Sequence, residues 1–408
     1  MRKPEKTKKR IERVTMKCSL KLAGTVFTMF MSLASIALAE PVSFPKGAAT
    51  PSETCGECHQ TLYREYALGV GSDNRSANHS IPATVSSAAT AHATSKFTPL
   101  ASGGDVEWCR ACHFAGSFNI PAKGELGKQL PNVANAGEIS ITCATCHLTP
   151  EGKVRGVHKT GNAPHASVAE PALQSSAICA HCHVDTTDKR IVGGQYQTFM
   201  EWREDFNKPG LGAQQCQDCH MPRTLRKLAE DSDGAPVAVG RHLWTGGHSG
   251  QRLGGSLSLA IIQRDKEKAN LSFSVTNIGA GHSVPTGPNA RGVYLSVDVL
   301  DRQGVSRARK EWLFAPNFSA RPDDKAFLEA DKKLSGYEGY AQTRADAQGV
   351  HEAPVRAGEE RLVNWDPALA PGLYTVKAQL RYTTDRFAAP VADDEKVMGS
   401  AALLITSK

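Results

Sequence analysis

Hydrophobic and polar positions follow different patterns in the two halves of the chain. After about Gly255, apolar residues alternate with polar ones, and turns such as Asp301–Gly304 separate the alternating segments. A period of two is typical of strands with one buried face. The pattern predicts an antiparallel β-sandwich of the immunoglobulin-like type over residues 255–408. The predicted strands include Leu271–Val275, Val293–Val299, Tyr374–Leu380 and Ala401–Thr406.

Residues 40–254 show only short helical periods. A helix is predicted over Gln60–Leu68, and another over Gln195–Asn207, which ends before Pro209-Gly210. Residues 71–105 and 119–138 are rich in Ser, Ala, Gly and Pro, and we expect loops there; polar residues 321–349 should form a long excursion from the sandwich. The first half is therefore predicted to be mainly α-helical and irregular.

The chemistry of this first half lies in a motif, C-x-x-C-H, that occurs five times. It is the attachment signature of haem c: two thiols bond covalently to the macrocycle, and the adjacent imidazole becomes the proximal ligand of the iron. Five copies predict five covalent haems and a multihaem cytochrome domain over residues 40–254. The motif residues are Cys55, Cys58 and His59; Cys109, Cys112 and His113; Cys143, Cys146 and His147; Cys179, Cys182 and His183; and Cys216, Cys219 and His220.

Three other uses of paired cysteines are open to such a sequence. Zinc ribbons need two pairs for each metal ion, and thioredoxin-like redox pairs normally occur once, near a βαβ pattern. An exported protein could also form five structural disulfides. None of these explains why a histidine follows every second cysteine.

The function depends on what binds the opposite face of each iron. Nine histidines lie outside the motifs, whereas Met200, Met221 and Met398 are the only methionines after residue 39, so we expect mostly bis-histidine iron. The preferred candidates are His79, beyond the first helix, His165, His242 and His248, which flank a Gly-rich turn, and His282, in the loop Gly279–Gly287 between two strands. The remaining histidines are His92, His158, His181 and His351.

The N-terminus has the pattern of a secretory signal peptide. Residues 1–21 contain nine Lys or Arg and two Glu, and an uncharged apolar run, Leu22–Ala39, ends in Ala37-Leu38-Ala39. We expect cleavage after residue 39; the alternative is an uncleaved anchor, which is the one way we expect the protein to contact a membrane. Cys18 would leave with the peptide.

Charge gives no sign of a nucleic-acid partner. Removing residues 1–39 removes nine of the 48 basic and two of the 41 acidic side chains, which leaves 39 of each. The basic balance of the full chain therefore belongs to the signal, and haem propionates would make the mature protein acidic.

Several segments resemble known multihaem cytochromes. Cys55–His59 with the following helix and Asn78-His79-Ser80 resemble the tetrahaem cytochrome that is the partner of hydroxylamine oxidoreductase. Cys216–Pro222 and Gly281–Gly287 resemble exported multihaem cytochromes that end in a β-sandwich. The chain has fewer motifs than octahaem hydroxylamine oxidoreductases, and it lacks the C-x-x-C-K of pentahaem nitrite reductases.

The sequence thus predicts a periplasmic electron-transfer protein without catalytic residues, in which five haems pass single electrons between redox partners. Those partners are expected to be other exported redox proteins or a membrane quinol-linked cytochrome, in the periplasm or at the outer surface of the cell. The alternative is an oxidoreductase that acts on a small nitrogen or sulfur compound at a haem lacking a distal protein ligand. A third possibility is a docking role for the sandwich.

Overall fold

Short helices and two small sheets form the first part of the chain in the computed structural model. The helices are α1 (Ser52–Gly56), α2 (Gln60–Leu68), α3 (Cys143–His147), α4 (Ala180–His183), α5 (Thr198–Glu201), α6 (Cys216–His220) and α7 (Gly250–Gly254). Two 3₁₀ turns, Pro171–Gln174 and Ser176–Ile178, precede α4, and a π-helix, Trp202–Asn207, continues α5. The sheets pair β1 (Val154–Gly156) with β2 (Ser167–Ala169) in parallel, and β3 (Arg223–Arg226) with β4 (Val237–Gly240) antiparallel.

The structure describes residues 42–44, 50–68, 142–161, 163–183, 198–247, 249–287, 291–315, 351–383 and 396–408. They belong to one compact unit, Pro41–Lys408. The predicted loops over residues 71–105 and 119–138 and the excursion over 321–349 lie outside the described residues, as does the signal segment. No helix in the described ranges is long and apolar enough to cross a membrane.

Two larger sheets, which we call the two-sheet region, form the second part. One has the strand order β10-β6-β5 and the other β12-β11-β7-β8-β9. The strands are β5 (Leu257–Gln263), β6 (Leu271–Asn277), β7 (Gly292–Leu300), β8 (Ser306–Phe314), β9 (His351–Glu352), β10 (Glu360–Trp365), β11 (Gly372–Thr383) and β12 (Lys396–Ser407).

A single hydrophobic core joins these two sheets. Leu271, Phe273 and Val275 of β6 are fully buried and belong to the same cluster as Val297 and Val299 of β7. Alternate residues along β7 therefore face this core, as the period of two predicts. Aromatic side chains extend the core, since the Trp312 and Phe273 rings lie 5.6 Å apart.

All four predicted strands are present within β6, β7, β11 and β12, and helix α2 has its predicted bounds. Two features differ from the prediction. The helix predicted to end at Asn207 is α-helical only to Glu201 and then widens into a π-helix, a form that often occurs at functional sites. Strand β9 pairs in parallel with β8, which is possible because residues 316–350 provide the long connection that a parallel pair requires.

Candidate haem-binding site

Four of the five motifs lie within the described residues, each on or beside a short helix. Helices α3 and α6 each contain one whole motif, whereas Cys55 lies in α1 and His183 ends α4. Helical geometry puts the two cysteines, three residues apart, on the same side, which is the arrangement that one porphyrin edge needs. The motif of Cys109, Cys112 and His113 lies outside the described residues.

The described motifs form two pairs through contacts between their first cysteines. The Cys55 thiol donates a hydrogen bond to Cys143, which lowers the pKa of Cys143 to about 7. The same bond from Cys179 lowers the pKa of Cys216 to about 7. The first motif therefore lies beside the third, and the fourth beside the fifth.

A serine supports each pair in the same way. Ser52 and Ser176 each lie three residues before the first cysteine of their own motif. The Cys143 backbone N–H donates to Ser52 Oγ at 3.1 Å, and the Cys216 N–H donates to Ser176 Oγ at 2.9 Å. The two pairs are thus built on one repeated local structure, in which a serine of one motif caps the helix of the other.

Three motif histidines each face a second histidine from a distant part of the chain. A metal ion held by both rings at the usual metal–nitrogen distance of about 2 Å would put the ring centres about 6 Å apart. The pairs are His59 with His165 at 6.4 Å, His147 with His242 at 6.0 Å, and His220 with His282 at 6.1 Å. Each pair therefore leaves room for one iron between its rings.

The ring orientations fit this interpretation. In five of these six histidines Nδ1 lies within hydrogen-bond distance of a backbone carbonyl, which can only accept, so Nδ1 carries the proton and Nε2 keeps its lone pair for a metal. The acceptors are Leu228 O for His59 (2.7 Å), Arg155 O for His147 (3.0 Å), Thr245 O for His220 (2.6 Å), Gly240 O for His242 (2.9 Å) and Ser283 O for His282 (2.9 Å).

The sixth ring, that of His165, differs. Its Nδ1 is buried and has no hydrogen-bond partner within the described part of the chain. His165 is held in place by its backbone, which forms a β-bridge with Val42.

Burial keeps five of the motif and candidate imidazoles in the neutral form that binds metal. It lowers the pKa values of His147 and His282, and it lowers those of His183, His220 and His242 to about 4. The positive form would be disfavoured among apolar groups, whereas a neutral ring can donate its lone pair at neutral pH. The donors therefore suit a metal rather than a proton.

One short segment serves two of the histidine pairs. His242 faces His147, and three residues later the Thr245 carbonyl accepts the hydrogen bond from His220. Between them Trp244 has a φ of 41°, a left-handed conformation that is uncommon for a tryptophan, and its ring packs edge-on against His242 at 5.3 Å. This strained turn fixes the spacing of the two sites, a pattern typical of functional segments.

A buried carboxylate, Glu65 on α2, supports the His242 side of this segment. It accepts hydrogen bonds from Arg226 at 2.8 Å, Arg241 at 2.9 Å and the His242 backbone N–H at 3.0 Å. Burial raises the pKa of Glu65, but the bonds from the two arginines outweigh it, and the pKa falls to about 2. Glu65 is therefore ionised at neutral pH and joins α2 to the β3–β4 hairpin.

Residues after β3 hold the first motif in position. The Leu228 carbonyl accepts from His59, and the Glu230 carboxylate accepts from the backbone N–H groups of Gln60 (3.1 Å) and Thr61 (2.6 Å). Glu230 thus caps the start of α2 from a distant position in the chain. The sequence gives no signal for this contact, since backbone acceptors have no characteristic residue type.

The structure brings His165, His242 and His282 to motif histidines, while His79 and His248 lie outside the described residues. His158 is exposed, and the α4 backbone includes His181 and Cys182. His351 begins the short strand β9. Among the described residues no group of three or more His, Cys, Asp or Glu side chains is placed to hold a metal ion by itself.

No protein-family profile matches the chain, and no curated protein matches it. Among solved structures, it is similar to a penta-heme cytochrome c552 from Thermochromatium tepidum, at 17% sequence identity and a TM-score of 0.48, over 88% of this chain and 100% of that chain. It is also similar to a glycosyl hydrolase family 2 member from Bacteroides cellulosilyticus DSM 14838, at 16% identity and a TM-score of 0.18, over 37% of this chain and 14% of that chain. Neither similarity assigns the chain to a family.

Proposed function

We propose that the chain is a multihaem c-type cytochrome that carries five covalent haem c groups and transfers single electrons between redox partners. The observation that carries the proposal is the three histidine pairs, in each of which a motif histidine faces a distant histidine across a gap the width of one metal ion. Bound haem would supply the one-electron chemistry of its iron. The candidate ligands for the remaining sites are His79 and His248.

The described side chains give the site two properties that electron transfer requires. The contacts between Cys55 and Cys143, and between Cys179 and Cys216, bring attachment points of neighbouring groups next to each other. Cys58 is exposed, whereas the corresponding cysteines of the third and fifth motifs, Cys146 and Cys219, are partly buried. The first site is therefore more accessible than the third and fifth, and a partner could dock there.

The compartment and the partners follow from the N-terminal pattern. Cleavage after Ala39 would release a protein into the periplasm, where exported redox proteins or a membrane quinol-linked cytochrome could exchange electrons with it. The two-sheet region is proposed to be an immunoglobulin-like docking domain. The proposed relationship to the tetrahaem partner of hydroxylamine oxidoreductase is supported by the sequences of Cys55–His59, of the helix that follows, and of Asn78-His79-Ser80.

The spin state of the purified ferric protein tests the proposed function. Two strong-field imidazoles on each iron should make the haems low-spin, so the electron paramagnetic resonance spectrum should show only low-spin signals. Stepwise reduction should consume five electrons per chain. Adding nitrite or cyanide should leave the spectrum of the ferric protein unchanged. A high-spin haem that binds either ligand would instead favour the oxidoreductase that acts on a small nitrogen or sulfur compound.

A further inference from the structure

The loop that carries His282 is held firmly from the two-sheet region. Asn277, at the end of β6, donates through Nδ2 to the His282 carbonyl at 2.8 Å and to the Val355 carbonyl at 3.1 Å. Its Oδ1 accepts from the Ala280 N–H at 3.0 Å. Asn277 is buried, so these bonds are protected from water and fix one end of the loop.

The same loop is held a second time by the segment Thr198–Asn207. Glu201 Oε2 accepts from the Ser283 N–H at 3.2 Å and from Thr286 Oγ1 at 2.8 Å. Thr286 Oγ1 also lies 2.8 Å from Thr198 Oγ1. These contacts lie on the C-terminal side of His282.

The N-terminal side of His282 meets the π-helix. A Cβ added to Gly281 would lie 3.1 Å from the Phe206 ring, so the absence of a side chain allows the loop backbone to approach that ring. The loop residues on the two sides of His282 thus contact Phe206 and Glu201, which both belong to the α5–π-helix segment.

We propose that Glu201 is a positioning residue for His282: by accepting two hydrogen bonds from its loop, it keeps the imidazole against the iron of the fifth motif. This inference rests on the proposed function, since it assumes iron between His220 and His282. Glu201 belongs to none of the three ring pairs and would act only through the loop.

The electrostatic environment of Glu201 supports a geometric role. Burial raises the pKa of its carboxyl to about 7, although the bonds from Thr286 and Ser283 lower it, and Asp205 raises it further. A proton on Oε1 would leave Oε2 able to accept both bonds. The acceptor atom, rather than the charge, is therefore the property that holds the loop.

Replacing Glu201 by glutamine or by methionine separates the effect of the acceptor oxygen from the effect of the charge. Glu201→Gln keeps an oxygen acceptor, whereas Glu201→Met has a similar size and removes it. For Glu201→Met we expect a high-spin ferric signal of up to one haem per chain. Cyanide should bind to one haem about tenfold faster or more, because the loop loses two bonds to a partly buried acceptor. Glu201→Gln should remain low-spin and bind cyanide at the wild-type rate.

A matched control is Glu204→Met on the π-helix, whose carboxylate contacts only Arg203 and Lys208 among the described residues. It should behave as wild type. If Glu201→Met yields too little protein, Thr286→Val removes one of the two donors and should show a smaller effect in the same direction.

His282→Ala provides the reference for both proposals. If His282→Ala is high-spin while Glu201→Met and Thr286→Val stay low-spin with wild-type cyanide rates, positioning by Glu201 is wrong and ligation by His282 stands. If His282→Ala itself remains low-spin, ligation by His282 is wrong and the inference fails with it.

Discussion

Replacing His282 by alanine is expected to convert one of the five haems from low-spin to high-spin in the ferric state. The His220 and His282 ring centres lie 6.1 Å apart, and both rings keep Nε2 for a metal because Nδ1 donates to a carbonyl. Without the second imidazole the iron would be five-coordinate or bind water. Electron paramagnetic resonance should therefore show about one high-spin haem per chain, a loss of about one-fifth of the low-spin intensity.

The control for this substitution is His158→Ala. His158 is exposed and shows no pairing with another ring among the described residues, so its removal should leave the spectrum unchanged. A His282→Ala spectrum equal to those of the wild type and of His158→Ala would exclude His282 as a ligand. Because His282 lies in a loop of the two-sheet region, its loss should also lower the thermal unfolding temperature by several degrees if a ligand bond joins the two parts of the chain.

Production of the mature chain without haem attachment is expected to leave residues 40–254 largely unfolded and the two-sheet region folded. The two-sheet core contains a large cluster of buried side chains that includes Leu271, Phe273 and Val297. In the first part, the cluster found among the described residues is small: Phe199 and Ala180 are buried together, and Met200 and Trp202 pack against them. The porphyrin faces would supply the apolar surface that these residues lack.

Hydrogen exchange and limited proteolysis measure this difference directly. The apoprotein should show native protection in β5–β12 and almost none in α2, α3 and α6, and proteolysis should leave a fragment that begins near residue 255. The holoprotein of the same sequence is the control. Native-like protection of α2 and α6 in the apoprotein would show that the chain folds around its motifs without haem.

The two-sheet region could be predicted in large part because its alternation is strong and local. Buried and less buried residues alternate along most of β11 and along the second half of β7, whereas nearly every residue of β6 is buried although its sequence alternates apolar and polar side chains. The β3–β4 hairpin escaped prediction because it lacks a buried face: Leu225 is 75% exposed and Val237 is 44% exposed. Pattern reasoning finds strands only where burial imposes a period.

The candidate haem-binding site also has parts that the sequence predicts and parts that it does not. The motifs are visible because covalent attachment requires fixed residue types at a fixed spacing, and His242 and His282 attract attention because glycines surround them. Which ring faces which is a long-range property: His165 lies opposite His59, and only the folded chain shows it. Supporting groups such as Glu65 and the Leu228 carbonyl give no sequence signal, because a carboxylate or a backbone oxygen is common everywhere.

The mass of the intact, denatured mature protein tests the central claim most directly. Covalent attachment at five motifs predicts the mass of residues 40–408 plus five haem groups, retained after acid extraction that removes non-covalent haem. The unmodified mass, or a mass lower by ten hydrogens as five disulfides would give, would contradict the claim.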